Sequence, residues 1–165
     1  MHSYGGRGII RIDGAEITRE GQEFNWDSFR DWYQSAEEPP LLAMQYLKNI
    51  DRGDKRLVVA GGEILATSLR KPAKGGWLAN VAQGGSSRMA RPDAREREII
   101  EYLTPILKAE GIFYYGLDTL VNDHGKRIIS EINTLSIGGI VPAEKHSGRP
   151  LTDRFAELFV KHISA

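Results

Sequence analysis

Glu131 and Asn133 occupy alternate positions in Ser130-Glu131-Ile132-Asn133, and an extended chain turns alternate side chains to one face, so their oxygens point together. Asp118 lies on the preceding extended stretch. Hard oxygen donors of this kind suit magnesium, which commonly takes one or two carboxylates and completes its shell with phosphate oxygens and water, as in Mg-ATP. The same alternation also describes a solvent-facing polar row between Ile129 and Ile132. Arg56 and Arg70 are the second candidate pair, since two guanidiniums on a common face would clamp a phosphoryl group through their bidentate forks. Singly, each suits a surface ion pair. Ser3-Tyr4-Gly5-Gly6-Arg7-Gly8 offers backbone N–H groups that phosphate oxygens can approach closely. It is neither a Walker loop nor a dinucleotide fingerprint, because a strand follows it rather than a helix, and by itself it also fits an ordinary turn.

Two hairpins must position these groups, and loop length decides which residues share a face. Ile112 to Val121 and Arg127 to Asn133 form one, around Asn122-Asp123-His124-Gly125. A four-residue loop, Asn122 to Gly125, pairs Val121 with Lys126, sets Asp118 opposite Ile129 and puts it on the face of Glu131 and Asn133. A five-residue loop would split them, so the four-residue loop is expected. The other hairpin runs from Lys55 to Leu69 around Gly61-Gly62. Pairing Ala60 with Ile64 across a three-residue loop places Leu57, Val59, Leu65 and Leu69 on one face and both arginines on the other. A two-residue loop would mix them.

The remaining elements follow from periodicity. Ile9 to Ile12 reads as a strand. Asn25 caps a short helix with the stripe Trp26, Phe29, Trp32 and Tyr33, broken by Glu37-Glu38-Pro39-Pro40. Leu41 to Leu47 reads as a buried strand, Asn49 to Asp54 as a polar turn and residues 71 to 92 as loop. A helix is expected from Asp93 to Glu110, with Ile99, Ile100, Leu103, Ile106 and Leu107 inward, Pro105 limiting its regularity and Gly111 as its stop. A last helix follows Pro150, with Phe155, Leu158, Phe159 and Ile163 inward. Hairpins interspersed with helices predict an α+β fold, mostly antiparallel sheet with flanking helices.

A chain of 165 residues fits a single domain with a real core. Its formal net charge of zero gives no field to gather nucleic acid. The absence of cysteine excludes disulfides and thiolate metal sites. No apolar stretch is long enough to cross a bilayer and no signal peptide opens the chain, so no membrane partner is expected and the cytoplasm is the expected location. His2, His124, His146 and His162 are scattered and read as surface or capping residues. The chain opens straight into the glycine-rich loop, which suggests a start within a structural unit.

The motifs occur in an order that resembles the bacterial glutathione synthetases of the ATP-grasp superfamily. The order runs from Tyr4-Gly5-Gly6-Arg7-Gly8-Ile9 through Gln45-Tyr46-Leu47, Gly53-Asp54-Lys55-Arg56, and Leu69-Arg70 with Pro72. Asn80 with Gly84-Gly85, Gly116-Leu117-Asp118 and Glu131-Ile132-Asn133 complete it. Three features depart from the family pattern. The Lys-Pro pair upstream of the glycine loop is not in this chain. Trp77-Leu78-Ala79 replaces Thr-Arg-Gly. Thr134-Leu135-Ser136-Ile137-Gly138-Gly139 stands where the family usually has Thr-Ser-Pro-Thr.

The resemblance implies the carboxy-terminal half of an ATP-grasp fold, across residues 1 to 165, with nucleotide between two sheet-bearing subdomains. Tyr4, Gly5, Gly6, Arg7 and Gly8 would cover the phosphates of ATP, and Gln45, Tyr46 and Leu47 would meet adenine largely through backbone groups. Asp118, Glu131 and Asn133 would place Mg2+ or Mn2+. Arg56 and Arg70 would contact phosphate or the reacting carboxylate, with Asn80 nearby. The implied activity is a carboxylate-amine ligase that joins glycine to γ-glutamylcysteine. Its partners would be those small molecules, an amino-terminal domain absent here, and further copies in a homo-oligomer. The rival readings are another ATP-grasp peptide or amino-acid ligase, and an incomplete nucleotide-binding domain without activity of its own.

Overall fold

The computed structural model describes residues 8–36, 40–76, 78–79, 84–135 and 137–164. Tyr4, Gly5, Gly6, Arg7, Trp77 and Asn80 of the motifs above lie outside the described residues. The chain forms two compact units, residues 1–48 and 49–165.

In the first unit β1 (Ile10–Asp13), β2 (Glu16–Arg19) and β3 (Gln22–Phe24) make an antiparallel meander in that order. Of these only β1 is legible as a strand in the sequence; the turns at Gly14-Ala15 and Glu20-Gly21 are what bring β2 and β3 alongside it. The helix α1 (Trp26–Ser35) starts where expected, because the Asn25 side chain accepts the Ser28 N–H while Ser28 Oγ accepts the Asn25 N–H. Its Phe29 and Trp32 pack on Phe24, although Trp26 is exposed.

Leu41 to Leu47 is not a strand, and Leu41, Leu42 and Met44 are exposed. A short apolar run supplies the side chains of a buried strand but not its hydrogen-bonding partner. In this unit the described strands pair among themselves.

The second unit is a five-stranded, wholly antiparallel sheet in the order β6-β5-β4-β7-β8, confirming an α+β fold. Its strands are β4 (Asp54–Ala60), β5 (Glu63–Lys71), β6 (Ser86–Met89), β7 (Tyr114–Val121) and β8 (Arg127–Asn133). The strand β6 falls within the segment expected to be loop. It is a short edge strand with every residue exposed, so no hydrophobic alternation announces it.

One helix, α2 (Ala94–Ala109), covers one face. There Ile99, Ile100 and Leu103 bury against Leu57, Val59, Tyr115 and Leu117, each such side chain contributing about 1.5–3 kcal/mol. The helix continues through Pro105, and Ile106 on its outer side is exposed rather than core.

The opposite face is partly covered by α3 (Ile140–Ser147) and α4 (Leu151–Ile163), where Ala143 and Leu151 pack on Val58 and Ala66. In α4 the inward residues are Leu151, Phe155 and Leu158, whereas Phe159 and Ile163 are exposed. The aromatic edge of Phe155 meets Tyr114 with ring centroids 4.9 Å apart. Among the described residues no helix is long and apolar enough to cross a membrane.

Both hairpin loops differ from expectation by one residue. Gly61-Gly62 is a two-residue loop, with Ala60 opposite Glu63 and both glycines at positive φ, as a tight hairpin turn requires. In the second hairpin Val121 pairs with Arg127, leaving five residues in the loop, where Asn122 N–H bonds the Lys126 carbonyl and the Asn122 side chain accepts from His124 and Lys126. Each hairpin then carries a one-residue register shift, with Leu65 extra on β5 and Ser130 extra on β8.

A short 3-10 turn at Ile50–Arg52 leads into β4 through Gly53, whose φ of 82 and ψ of 155 fall in a region essentially restricted to glycine. A Cβ there would meet the Arg70 carbonyl at 2.7 Å. Gly53→Ala is therefore expected to lower unfolding free energy by about 3 kcal/mol or more, against about 1 kcal/mol for Gly75→Ala at a similar φ but in open space. Urea titration of both variants checks this, and equal losses would contradict it.

Candidate functional site

The register shifts determine which side chains meet. Beyond Leu65, Arg56 pairs with Ser68 and Asp54 with Arg70; before Ser130, Asp118 pairs with Glu131 and Gly116 with Asn133. Arg56 also lies directly opposite Asp118 across β4 and β7. Residues directly opposite on neighbouring strands share a face, so Ser68, Arg56, Asp118 and Glu131 form one transverse row across four strands. Arg70 and Asp54 sit one step to one side of it and Asn133 one step to the other. All five residues that were expected to converge in this unit do so: Arg56, Arg70, Asp118, Glu131 and Asn133.

The contacts are close. Arg56 grips Asp118 with two donors, Nε to Oδ1 and a terminal nitrogen 2.6 Å from Oδ2. Arg70 donates to Asp54 Oδ2 and also lies 3.1 Å from Asp118 Oδ2. Asn133 stands between Asp118, Glu131 and Arg56. With its amide nitrogen toward Glu131 Oε1 at 3.0 Å, its oxygen accepts from Arg56 at 3.3 Å, which satisfies both ends. Gly116 makes room for this, since a Cβ there would come within 3.3 Å of Arg56 Cδ and of Ile137 Cγ2. Asp118 is buried and Glu131 exposed, so the row runs from the sheet's interior toward solvent.

Burial and crowding set the ionisation. Desolvation raises the Asp54 carboxyl to about 6, with the Asp118 charge adding to the rise and Arg70 opposing it. Desolvation alone would lower Arg56, but the hydrogen bonds and charge of Asp118 more than offset it, and the guanidinium is raised. Asp54 Oδ1 and Arg70 Nε are buried without hydrogen-bond partners, so this corner holds unused polar capacity. Among the described residues no three His, Cys, Asp or Glu side chains gather at metal-binding spacing. The available donor set is two carboxylates and an amide oxygen, which fits a hard cation that completes its shell with water and phosphate.

The other expected site residues lie outside the described residues or in the first unit. Asn80 and Tyr4 to Arg7 lie outside the described residues. Gly8, with φ of 70, donates its N–H to Glu20 Oε1 at 3.1 Å within the first unit. Gln45, Tyr46 and Leu47 lie in the irregular end of that unit, where the Arg11 guanidinium sits 4.7 Å from the Tyr46 ring centre.

Asp54 has no role among the expectations from the sequence. Its signal was available, because the expected pairing of Ala60 with Ile64 already sets Asp54 opposite Arg70.

The family model described as the prokaryotic glutathione synthetase ATP-grasp domain matches residues 1–148. A glutathione synthetase of Prochlorococcus marinus (strain MIT 9313) is 31% identical over 156 residues, covering 94% of this chain and 47% of that protein. One of Parasynechococcus marenigrum (strain WH8102) is 33% identical over 152 residues, covering 92% and 46%. The chain thus spans about half the length of the curated relatives it matches. Among solved structures, D-alanine–D-alanine ligase of Bacillus anthracis complexed with ATP aligns with TM-score 0.54 and 16% identity, covering 84% of this chain and 48% of that one. The ATP-grasp ligase PsnB complexed with a phosphomimetic variant of its minimal precursor, Mg and ADP aligns with TM-score 0.55 and 14% identity, covering 88% and 43%. These two likenesses establish the fold.

The raised carboxyl of Asp54 has a thermodynamic consequence. The folded state holds this proton more tightly than the unfolded chain, so the contribution of Asp54 favours folding below its ordinary value of 3.8 and is lost as pH rises through about 6. Asp54→Asn, neutral throughout, removes that slope. Between pH 4 and 7 wild type is expected to lose about 2–3 kcal/mol relative to the variant. Urea unfolding at several pH values reads this difference, and parallel stability curves for the two proteins would refute it.

Proposed function

The chain belongs to the prokaryotic glutathione synthetase family through its ATP-grasp domain, and we propose that it is the nucleotide-binding portion of an ATP-dependent carboxylate-amine ligase, with glutathione as the product. The observation that carries this reading is the row of Arg56, Asp118 and Glu131 on one sheet face, flanked by Arg70 and Asn133. Phosphoryl transfer needs alignment and charge neutralisation more than a nucleophilic side chain, and this row provides oxygen donors beside guanidiniums.

In the proposed reaction the γ-phosphoryl group of ATP passes to the carboxylate of γ-glutamylcysteine, giving ADP and an acyl phosphate. The glycine amine then attacks the acyl carbon. The C–N bond forms, the bond from that carbon to the phosphate oxygen breaks, phosphate leaves and the nitrogen gives up a proton. Bound magnesium or manganese would neutralise phosphate charge. Asp118, Glu131 and Asn133 would supply its protein oxygens, and Arg56 and Arg70 would exchange part of their carboxylate contacts for phosphate or for the substrate carboxylate. The resemblance to the family assigns Tyr4 to Gly8 to the phosphates, Gln45 to Leu47 to adenine and Asn80 to the reacting group.

The whole of residues 1 to 165 is read as one ATP-grasp domain, which acts with the remaining length that such a ligase has in its relatives. The cytoplasm is its proposed location and the homo-oligomer its proposed assembly. A different acid or amine on the same chemistry is favoured by one observation. Trp77-Leu78-Ala79 and Thr134 to Gly139 depart from the family pattern where substrate is expected to be read. Product analysis with γ-glutamylcysteine and glycine separates the two ligases.

Calorimetry with Mg-ATP tests the shared premise. The chain is expected to bind, and Glu131→Ala combined with Asn133→Ala to weaken binding by about tenfold or more, because those donors are lost together. Equal affinity in both proteins would sink the assignment of this face to the metal-nucleotide.

A further inference from the structure

Directly behind the row, on the face covered by α2, lies a second polar cluster to which none of the motifs assigns a role. Its centre is Glu96, which is completely buried. Glu96 Oε2 accepts from Lys55 Nζ at 2.7 Å and from the Asp93 N–H at 2.9 Å, while Oε1 accepts from Thr119 Oγ1 at 2.7 Å. The guanidinium of Arg127 lies 3.8 Å from Oε1 and donates to the carbonyls of Thr119 at 2.9 Å and Gly53 at 2.8 Å. Lys55 is nearly buried, and its ammonium also reaches the Arg91 carbonyl at 3.1 Å. Two cations, one hydroxyl and the helix-capping N–H therefore converge on a single carboxylate.

Two partners of Glu96, Lys55 and Thr119, are immediate chain neighbours of site residues. Lys55 stands between Asp54 and Arg56. Thr119 follows Asp118. Arg127 anchors Gly53, which precedes Asp54, and belongs to the strand that carries Glu131 and Asn133. Side chains alternate across a sheet, so a group that holds Lys55 and Thr119 from behind fixes the backbone from which Arg56 and Asp118 project forward. The register shift on β7 falls between Asp118 and Thr119, so the position that Glu96 holds borders the irregularity that turns Glu131 and Asn133 onto the row. Helix capping alone accounts for the contact between Glu96 and the Asp93 N–H, but not for its bonds to two strands.

We propose that Glu96 is a positioning residue for the metal-nucleotide site: through Lys55 and Thr119 it fixes β4 against β7 so that Arg56 and the oxygen donors of Asp118, Glu131 and Asn133 stay aligned. The site's role in binding metal-nucleotide rests on the proposed function; the alignment itself does not.

The test therefore has one readout for each. Glu96→Gln leaves Lys55 only the more distant Asp93 at 3.5 Å and endangers folding, so Thr119→Val is the primary variant: it removes one hydrogen bond to Glu96 and keeps the side-chain shape. Hydrogen exchange of the Arg56 Nε–H, followed by NMR and assigned with Arg56→Lys, reports alignment of the front face without any ligand. Titration of Mn-ATP, followed by the spin resonance of the metal, reports binding.

Thr119→Val is expected to speed Arg56 exchange and weaken Mn-ATP binding, each by about tenfold, and Thr119→Ser to restore both. Loss of thermal stability with Arg56 exchange unchanged would overturn the proposal, because a merely structural role predicts that outcome. Faster Arg56 exchange in a chain that binds no Mn-ATP even as wild type would uphold the positioning role and remove the functional reading instead. Faster exchange with wild-type Mn-ATP affinity would overturn the proposal, since alignment would then not matter to the site.

Discussion

A buried carboxylate is held only where opposite charge and hydrogen bonds replace the water it has lost, and Asp118 meets that requirement through Arg56. The two lie directly opposite each other on neighbouring strands, with side chains 6% and 20% exposed. Removing one partner of such a pair typically costs about 3–5 kcal/mol, because the other charge is left buried alone. The pair therefore fixes which residues of β4 and β7 can be neighbours. Arg70 adds a third guanidinium contact to the same carboxylate and ties in Asp54. Two guanidiniums then face three carboxylates, those of Asp54, Asp118 and Glu131, so one negative charge is in excess. That excess is part of what pushes Asp54 upward. It also gives the face an appetite for cations, while the two arginines keep it receptive to phosphate.

The most informative mismatch between sequence and structure concerns parity. Both hairpins close with loops one residue different from the lengths that the side-chain pattern demanded, yet the residues expected to share a face do share it. The tight turn at Gly61-Gly62 would by itself set Arg56 opposite Thr67. Leu65 restores the pairing with Ser68. The longer loop at Asn122 to Lys126 would by itself set Asp118 opposite Ser130, and the extra Ser130 moves the pairing to Glu131. The distribution of apolar and charged residues thus read the faces correctly because burial energy acts on faces, with Leu57, Leu117 and Ile132 drawn to the α2 side. The turns obey local backbone preferences instead. Where the two disagree by one residue, a bulge absorbs the difference.

Helices were legible for a similar reason. The start of α1 at Asn25 and of α2 at Asp93, and the inward set Ile99, Ile100 and Leu103, follow from capping chemistry and a repeat near 3.6 residues. Less could be read where a signal depends on a partner. Leu41 to Leu47 has the composition of a strand without a strand beside it, and β6 has a partner without the composition. Glu96 was hidden differently. A glutamate three residues after a capping aspartate reads as an ordinary capping box, and its bonds to Lys55 and Thr119 join residues far apart in the chain. The loop-borne expectations at Tyr4 to Arg7 and Asn80 lie outside the described residues.

A sheet with a charged row in front and a buried charged network behind is suited to chemistry that tolerates little misplacement. The strands that present Arg56 and Asp118 are held at the adjacent residues Lys55 and Thr119 by Glu96, so the centre of the row does not depend on surface loops. Strands held in this way keep side chains close to their productive positions more reliably than loops do. The family departures fit that division. Arg56, Arg70, Asp118, Glu131 and Asn133 all match the family motifs and all stand on strands. Trp77-Leu78-Ala79 lies between β5 and β6, and Thr134 to Gly139 lies after β8. The residues of the row are fixed by cross-strand pairing, which a single substitution disrupts. The second of these segments, Thr134 to Gly139, is itself tied to the sheet, since Ile137 packs on both core clusters and its carbonyl accepts from the Tyr114 hydroxyl at 3.2 Å.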